Sequence, residues 1–195
     1  MEIEAVAVTA EQMRAIESRL FAAGMPVAAL MEKVGGLLAQ RMQQLYPRSH
    51  FPHVGVLVGS GHNGGDALVA ARELHFRGYD VRIYQPIDHL KELTDAHCRY
   101  VRSLGLPFVN GIEELGQCDW IIDGLFGFGL TRSIEGQLAE SIEQLNDRTV
   151  PIVSIDLPSG LHTDTGAALG TAVRATHSLC LGLWKQAYLH DQALP

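Results

Sequence analysis

At 195 residues the chain can bury one substantial core, and its composition, 47% hydrophobic and 19% charged, is that of a globular protein and unlike a disordered or fibrous one. A formal net charge of −7 leaves no surplus of cations to neutralise a nucleic-acid backbone, so nucleic acid is not an expected partner. Cys98, Cys118 and Cys180 form no CxxC pair, no apolar run reaches membrane-spanning length, and Met1-Glu-Ile-Glu-Ala lacks a secretory start; a reducing, cytoplasmic location without a membrane is expected.

Thr9-Ala-Glu-Gln12 has capping-box spacing and leads into Met13, Ile16 and Leu20 at helical intervals, which predicts a helix stopping near Gly24. A second helix is expected from Pro26 through Met31, Val34, Leu38 and Met42 towards Pro47. From residue 53 short apolar runs alternate with helical segments. Strands are expected over 53–58, 79–84, 106–109, 120–125, 152–155 and 178–183, with helices over 67–78, 93–105 and 137–146; glycines end the first two of these helices. That alternation predicts an α/β fold with a mainly parallel sheet, preceded by a helix pair.

Three clusters of glycine and acid residues follow expected strands: residues 59–66, 123–132 and 156–166. In an open parallel sheet the carboxyl ends of the strands share one rim, so these clusters are expected to converge on one pocket. Gly59, Gly61 and Gly64 match the G-x-G-x-x-G spacing between a strand and a helix, where backbone can approach a pyrophosphate and free N–H groups face it. The loop departs from a dehydrogenase fingerprint. Gln85 ends the second strand where a ribose-binding acid would stand, Asp80 falls at the opposite rim, and Asp66 stands at the expected helix start. Asp66 reads equally as a helix cap or as a ligand contact.

In Asp123-Gly-Leu-Phe-Gly127-Phe-Gly129-Leu-Thr-Arg132 the glycines permit another close approach and Arg132 can bond phosphate oxygens; alone, the segment reads as a surface turn with a solvated arginine. Asp156-Leu-Pro-Ser-Gly160 places a carboxylate at a strand end, either a general acid or base or a structural hydrogen-bonding aspartate. There is no nucleophile elbow and no histidine pair at metal spacing. His62 is carried to the proposed pocket; His53, His75, His89, His97, His177 and His190 are isolated and read as structural or exposed.

Taken together, Gly-Ser-Gly-His-Asn-Gly-Gly-Asp, Asp-Gly-Leu-Phe-Gly-Phe-Gly-Leu-Thr-Arg and Ile-Asp-Leu-Pro-Ser-Gly closely resemble the motifs of the YjeF N-terminal family, which includes animal apolipoprotein A-I-binding protein. The resemblance runs over nearly the whole chain, from the helix pair to Leu183-Trp-Lys185. It implies one domain over residues 1–195, ending before the family's usual last strand, with a Rossmann-like three-layer α/β/α fold. The activity implied is that of an NAD(P)HX epimerase, an isomerase of metabolite repair that interconverts the R and S forms of hydrated NADH or NADPH and uses no redox cofactor. Its implied functional partner is an ADP- or ATP-dependent dehydratase, fused or separate, and a homodimer is also expected.

Carried over motif by motif, substrate contacts fall on His62, Asn63, Gly64, Gly65 and Asp66, on Gly127, Phe128, Gly129, Leu130, Thr131, Arg132 and Ser133, and on Asp156. A potassium ion takes oxygen ligands from Asn63, Asp123 and Ser159. Three positions depart from the family pattern: His62 stands for an asparagine, Ala67 for a glycine and Phe128 for a threonine. The chemistry expected is loss of hydroxide to a stabilised cation followed by addition of water to the other face, with Asp156 as acid/base and Asp66 as its paired carboxyl. Two further classes stay open on the residues alone: a module that binds the nucleotide without catalysis, and an NAD(P)-dependent oxidoreductase.

Overall fold

The computed structural model describes residues 7–190. Met1-Glu-Ile-Glu-Ala and the end at Pro195 lie outside the described residues.

After a two-residue strand β1 (Ala7–Val8) come helices α1 (Ala10–Ala22) and α2 (Val27–Leu45). The capping box at α1 is present in both directions: the Thr9 hydroxyl accepts from the Gln12 N–H, and the Gln12 side chain accepts from the Thr9 N–H. Pro26 is the residue before α2 rather than its first helical residue, with extended backbone suited to its ring. The chain then alternates through β2 (His53–Val58), α3 (His62–Phe76), β3 (Asp80–Tyr84), α4 (Glu92–Ser103), β4 (Phe108–Val109), a 3-10 turn (Ile112–Leu115), β5 (Trp120–Gly124), α5 (Gly136–Asn146), β6 (Ile152–Ile155) and β7 (His177–Leu179). Trp184–Lys185 forms β8.

Strands β2 to β7 build one parallel sheet in the order β4-β3-β2-β5-β6-β7. Counted from β2 the order is 3-2-1-4-5-6, that of a doubly wound Rossmann-type sheet, with the reversal between β2 and β5. The expected α/β fold with a mainly parallel sheet and a preceding helix pair is therefore present.

Alternation along the strands divides the core into two layers. Val54, Val56 and Val58 of β2 pack with Leu38 and Met42 of α2, Leu68 and Leu74 of α3, and Val101 of α4. On the other face Leu57 packs with Leu115 of the 3-10 turn and Ile142 and Leu145 of α5. Burial of these aliphatic side chains, at ~25 cal/mol per Å², is the main force holding helices to sheet. Gly78 and Gly105 take the left-handed conformation expected after α3 and α4.

Two further features differ from the sequence expectation. Helix α3 begins at His62, five residues before its expected start, with Gly61 as its N-cap. Gly64 and Gly65 read as loop residues because glycine disfavours helix, but here they are helical positions without room for a side chain. A Cβ on Gly64 would lie 2.0 Å from the Gly59 carbonyl oxygen, and one on Gly65 2.6 Å from the Met31 side chain. Tertiary packing thus overrides propensity. The last expected strand, 178–183, is interrupted instead: β7 ends at Leu179, Gly182 turns the chain at φ +69°, and β8 pairs in parallel with β1, which carried no strand expectation.

Candidate active site

The loops leaving β2 and β5 meet at the strand-order reversal. The Gly59 N–H donates to the Gly124 carbonyl (3.1 Å), and a Cβ on Gly59 would lie 1.7 Å from the Leu125 carbonyl oxygen. At the end of β5, Asp123 is fully buried and accepts four hydrogen bonds: from Ser154 Oγ (2.7 Å), Ser159 N (2.9 Å), Ser159 Oγ (2.6 Å) and Leu125 N (3.2 Å). These bonds tie the ends of β5 and β6 and lower the carboxyl pKa, but burial outweighs them and pushes it up. All four donors are neutral.

Asp156 follows β6 at φ +70°, the only non-glycine residue in the left-handed region among the described residues. An aspartate held there is a strained backbone position that its surroundings must enforce. They do so thoroughly. Its Oδ2 accepts from Phe128 N (2.9 Å), its Oδ1 accepts from Leu181 N (3.3 Å) and from Lys185 Nζ, and its carbonyl accepts from the Tyr188 hydroxyl. The Lys185 side chain is fully buried, also donates to the Leu181 carbonyl, and places its ammonium 5.6 Å from the centre of the Phe128 ring.

These strand ends open on a cavity of about 430 Å³, a size suited to part of a nucleotide. His62, Asn63, Gly127, Phe128, Gly129, Leu130, Thr131, Arg132 and Asp156 all line it, joining the three expected clusters at one rim. Gly64, Gly65, Asp66 and Ser133 are not among the lining residues. Burial, and secondarily the Lys91 charge, lower the His62 pKa, so this imidazole faces the cavity uncharged at neutral pH. Arg14, Lys91 and Arg132 supply three cationic side chains to the wall, a setting for phosphate oxygens. A larger cavity of about 730 Å³, between α5 and residues 168–178, shares no residue with this one.

Asp66 does not cap α3. It is the fifth residue of the helix, buried, and the cap position carries no side-chain hydrogen bond. Burial, then the charges of Asp156 and Glu17, push its pKa up to about 8, so it holds a proton at neutral pH. An unfolded aspartate releases that proton near 3.8. Between those values the unfolded chain binds fewer protons than the native one, so this group makes stability fall as pH rises from about 4 to about 8. Asp66→Asn is expected to remove the fall. Its Tm should gain on that of the wild type steadily from pH 5 to pH 8 in scanning calorimetry, and a constant offset would contradict the assignment.

The set Asn63, Asp123 and Ser159 suits a large monovalent cation. Among the described residues Asp123 has no cationic partner and the buried Asn63 amide nitrogen has no hydrogen-bond partner, while the Ser159 hydroxyl and the Phe126 carbonyl lie against each other at 3.2 Å. Exchanging nitrogen and oxygen in that amide turns the orphaned donor into one more oxygen. Among the described residues no group of three or more His, Cys, Asp or Glu side chains could hold a metal, so the donor set is one carboxylate with neutral oxygens. No single helix among them is long and apolar enough to cross a membrane, and all three cysteines are free.

Three cavity residues escaped the sequence reading, Arg14, Glu17 and Lys91, and Lys185 was given no site role. Arg14 and Glu17 read as the solvated face of an amphipathic helix. Lys185 entered only as the end of the Leu183-Trp-Lys185 segment of the family resemblance.

A bifunctional NAD(P)H-hydrate repair enzyme of Synechocystis is 58% identical over 96% of this chain, which spans only 36% of that relative. The corresponding protein of Thermosynechococcus vestitus is 56% identical, with 37% of its length covered. The chain thus spans about a third of these relatives. The NAD(P)H-hydrate epimerase of Limosilactobacillus reuteri is 34% identical, with 92% of this chain and 88% of that protein aligned. Among solved structures, that of yeast ynu0, YNL200c, superposes with a TM-score of 0.85 at 25% identity over 94% of this chain and 83% of its own. With residues 27–187 matching the model of the YjeF-related protein N-terminus, the chain belongs to that family.

Proposed function

We propose that this chain is an NAD(P)HX epimerase, an isomerase that interconverts the R and S forms of hydrated NADH and NADPH. The observation that carries the reading is Asp156: a strained, buried acid at a strand end, in a cavity at the strand-order reversal with cationic side chains on its wall. The names of the relatives from Synechocystis and Limosilactobacillus support the substrate class. The oxidoreductase reading has no such support. Gln85, at the position of a ribose-binding acid, is engaged with the Ile87 carbonyl and Cys98, and Asp80 pairs with His53 at the opposite end of the sheet. No observation favours a module that binds without catalysis.

In this reading Arg14, Lys91 and Arg132 hold phosphate oxygens, while backbone at Gly127 and Gly129 lets the nicotinamide end approach Asp156. The hydrated ring carbon loses its hydroxyl, which takes up a proton from the cavity and leaves as water, the ring nitrogen supplying the electron pair; water returns on the other face, Asp156 accepts its proton, and exchange with solvent restores the starting protonation. Asp66, protonated at neutral pH and placed behind the cavity wall, keeps a second negative charge away from Asp156. Phe128 closes over the Lys185 ammonium and shields the Asp156 ion pair from water. A potassium ion held by Asn63, Asp123 and Ser159 would supply a fixed positive charge that offsets the buried Asp123 carboxylate.

The experiment is separation of the NADHX epimers by chiral chromatography after incubation with the protein, in potassium chloride and in choline chloride of equal ionic strength. Interconversion far above the spontaneous rate is expected, with a higher rate and a higher Tm in potassium. Absence of catalysis in both salts would overturn the function, and equal Tm values the ion. The reading also places the chain in the cytoplasm, as a homodimer, working with an ADP- or ATP-dependent dehydratase; the word bifunctional in the Synechocystis name supports the last.

A further inference from the structure

Helix α1 adds almost nothing to the core, yet three separate contacts tie it to the segments around the active site. Of its thirteen residues only Met13 is buried. The ties are a 2.7 Å hydrogen bond from Ala10 N to Asp164 Oδ1, the pairing of Ala7–Val8 with Trp184–Lys185, and the Met13 methyl against Gly182, where a Cβ would come within 2.9 Å. The strand that carries Lys185 to Asp156 is therefore the strand that anchors α1. Its consequence is to hold Arg14 and Glu17, neighbours on one helix face, against the cavity.

Glu17 differs from the other wall residues. It is half-buried, lines the same cavity as Asp156, and no hydrogen bond or ion pair among the described residues engages its carboxyl. Asp66, by contrast, is buried and does not line the cavity. Both residues of α1 precede the stretch matched by the family model, 27–187.

We propose that Glu17 is a catalytic residue, the carboxyl that exchanges a proton with the substrate hydroxyl on the ring face opposite Asp156. This rests on the epimerase reading of the site. Breaking the C–O bond needs a proton so that hydroxide leaves as water; Glu17 donates it, and the ring nitrogen supplies the electron pair that forms the C=N bond of the cation. Water then adds to the opposite face, its oxygen forming the new C–O bond and its proton passing to Asp156. Exchange with solvent returns the proton from Asp156 to Glu17, so nothing is oxidised or consumed. In the reverse direction the two carboxyls trade roles, as an epimerase requires. Burial and the Asp156 charge raise the Glu17 pKa, which favours the protonated form the donation needs.

The test compares wild type, Glu17→Gln, Glu17→Ala and Leu20→Ala, the last an exposed residue of the same helix away from the cavity. Glu17→Gln is expected to lower kcat for NADHX epimerisation roughly 100-fold while NADPHX binding, by calorimetry, stays within about threefold. Leu20→Ala is expected to keep wild-type kcat, and added formate to restore part of the Glu17→Ala rate. Glu17→Gln with unchanged kcat overturns the proposal, as does a kcat loss matched by lost binding or shared by Leu20→Ala, since either marks a purely structural helix. An inactive wild type would instead overturn the epimerase reading, and the proposal with it.

Discussion

Asp156→Asn is expected to lower epimerisation kcat by roughly 10²- to 10⁴-fold, the usual worth of a positioned acid or base. Asparagine is close in shape and tolerates the left-handed backbone at φ +70°, so the loop should survive the exchange. Stability should not. The Lys185 ammonium is fully buried and would lose its counter-charge, and breaking one half of a buried pair costs about 3–5 kcal/mol. For a chain of this size that lowers Tm by roughly 10 °C. Adding Lys185→Met should restore much of the Tm, because no charge is then left in the core, but none of the activity. Chiral chromatography of NADHX and thermal melts separate the two effects. Full rates in Asp156→Asn would remove Asp156 from the mechanism.

Gly59→Ala should damage the protein by a different route. The new Cβ would stand 1.7 Å from the Leu125 oxygen and within 2.8 Å of that residue's carbonyl carbon and Cα, all of them backbone atoms that cannot rotate away. Relief requires parting the β2 and β5 ends, where the Gly59–Gly124 hydrogen bond joins the two sides of the cavity. A cost of about 3 kcal/mol is expected, the upper part of the range for overpacked sites, with NADPHX affinity falling in the same variant. Gly36→Ala is the matched contrast. Gly36 lies within α2 with nothing near its Cβ, so alanine there should raise stability by about 0.5–1 kcal/mol. Denaturant titration of both variants decides the matter, and similar midpoints would refute the packing argument.

The parallel sheet, the helix pair and the convergence of the three clusters were legible in the sequence because each rests on a local signal: an apolar run with turn residues, a capping box, or an acid just past a strand. The start of α3 was not legible. Gly64 and Gly65 carry the propensity of a loop, and only the close approach of Gly59 and Met31 makes glycine the residue a helix needs there. For the same reason the sequence leaves Asp66 between a helix cap and a ligand contact, whereas in the fold it is a buried acid inside the helix, its pKa pushed up to about 8.

By itself, then, the sequence determined the α/β alternation, the rim on which the three clusters meet and the place of Asp156 on it, all encoded within a few residues. The tertiary structure alone decided what surrounds that acid. Lys185 reaches it from 29 residues away through β8, and Arg14 and Glu17 reach the cavity because β1 pairs with that same short strand. Such pairings join distant segments through backbone hydrogen bonds and leave no periodicity in either one. An ion pair or a cavity wall built on them becomes visible only when the chain is folded.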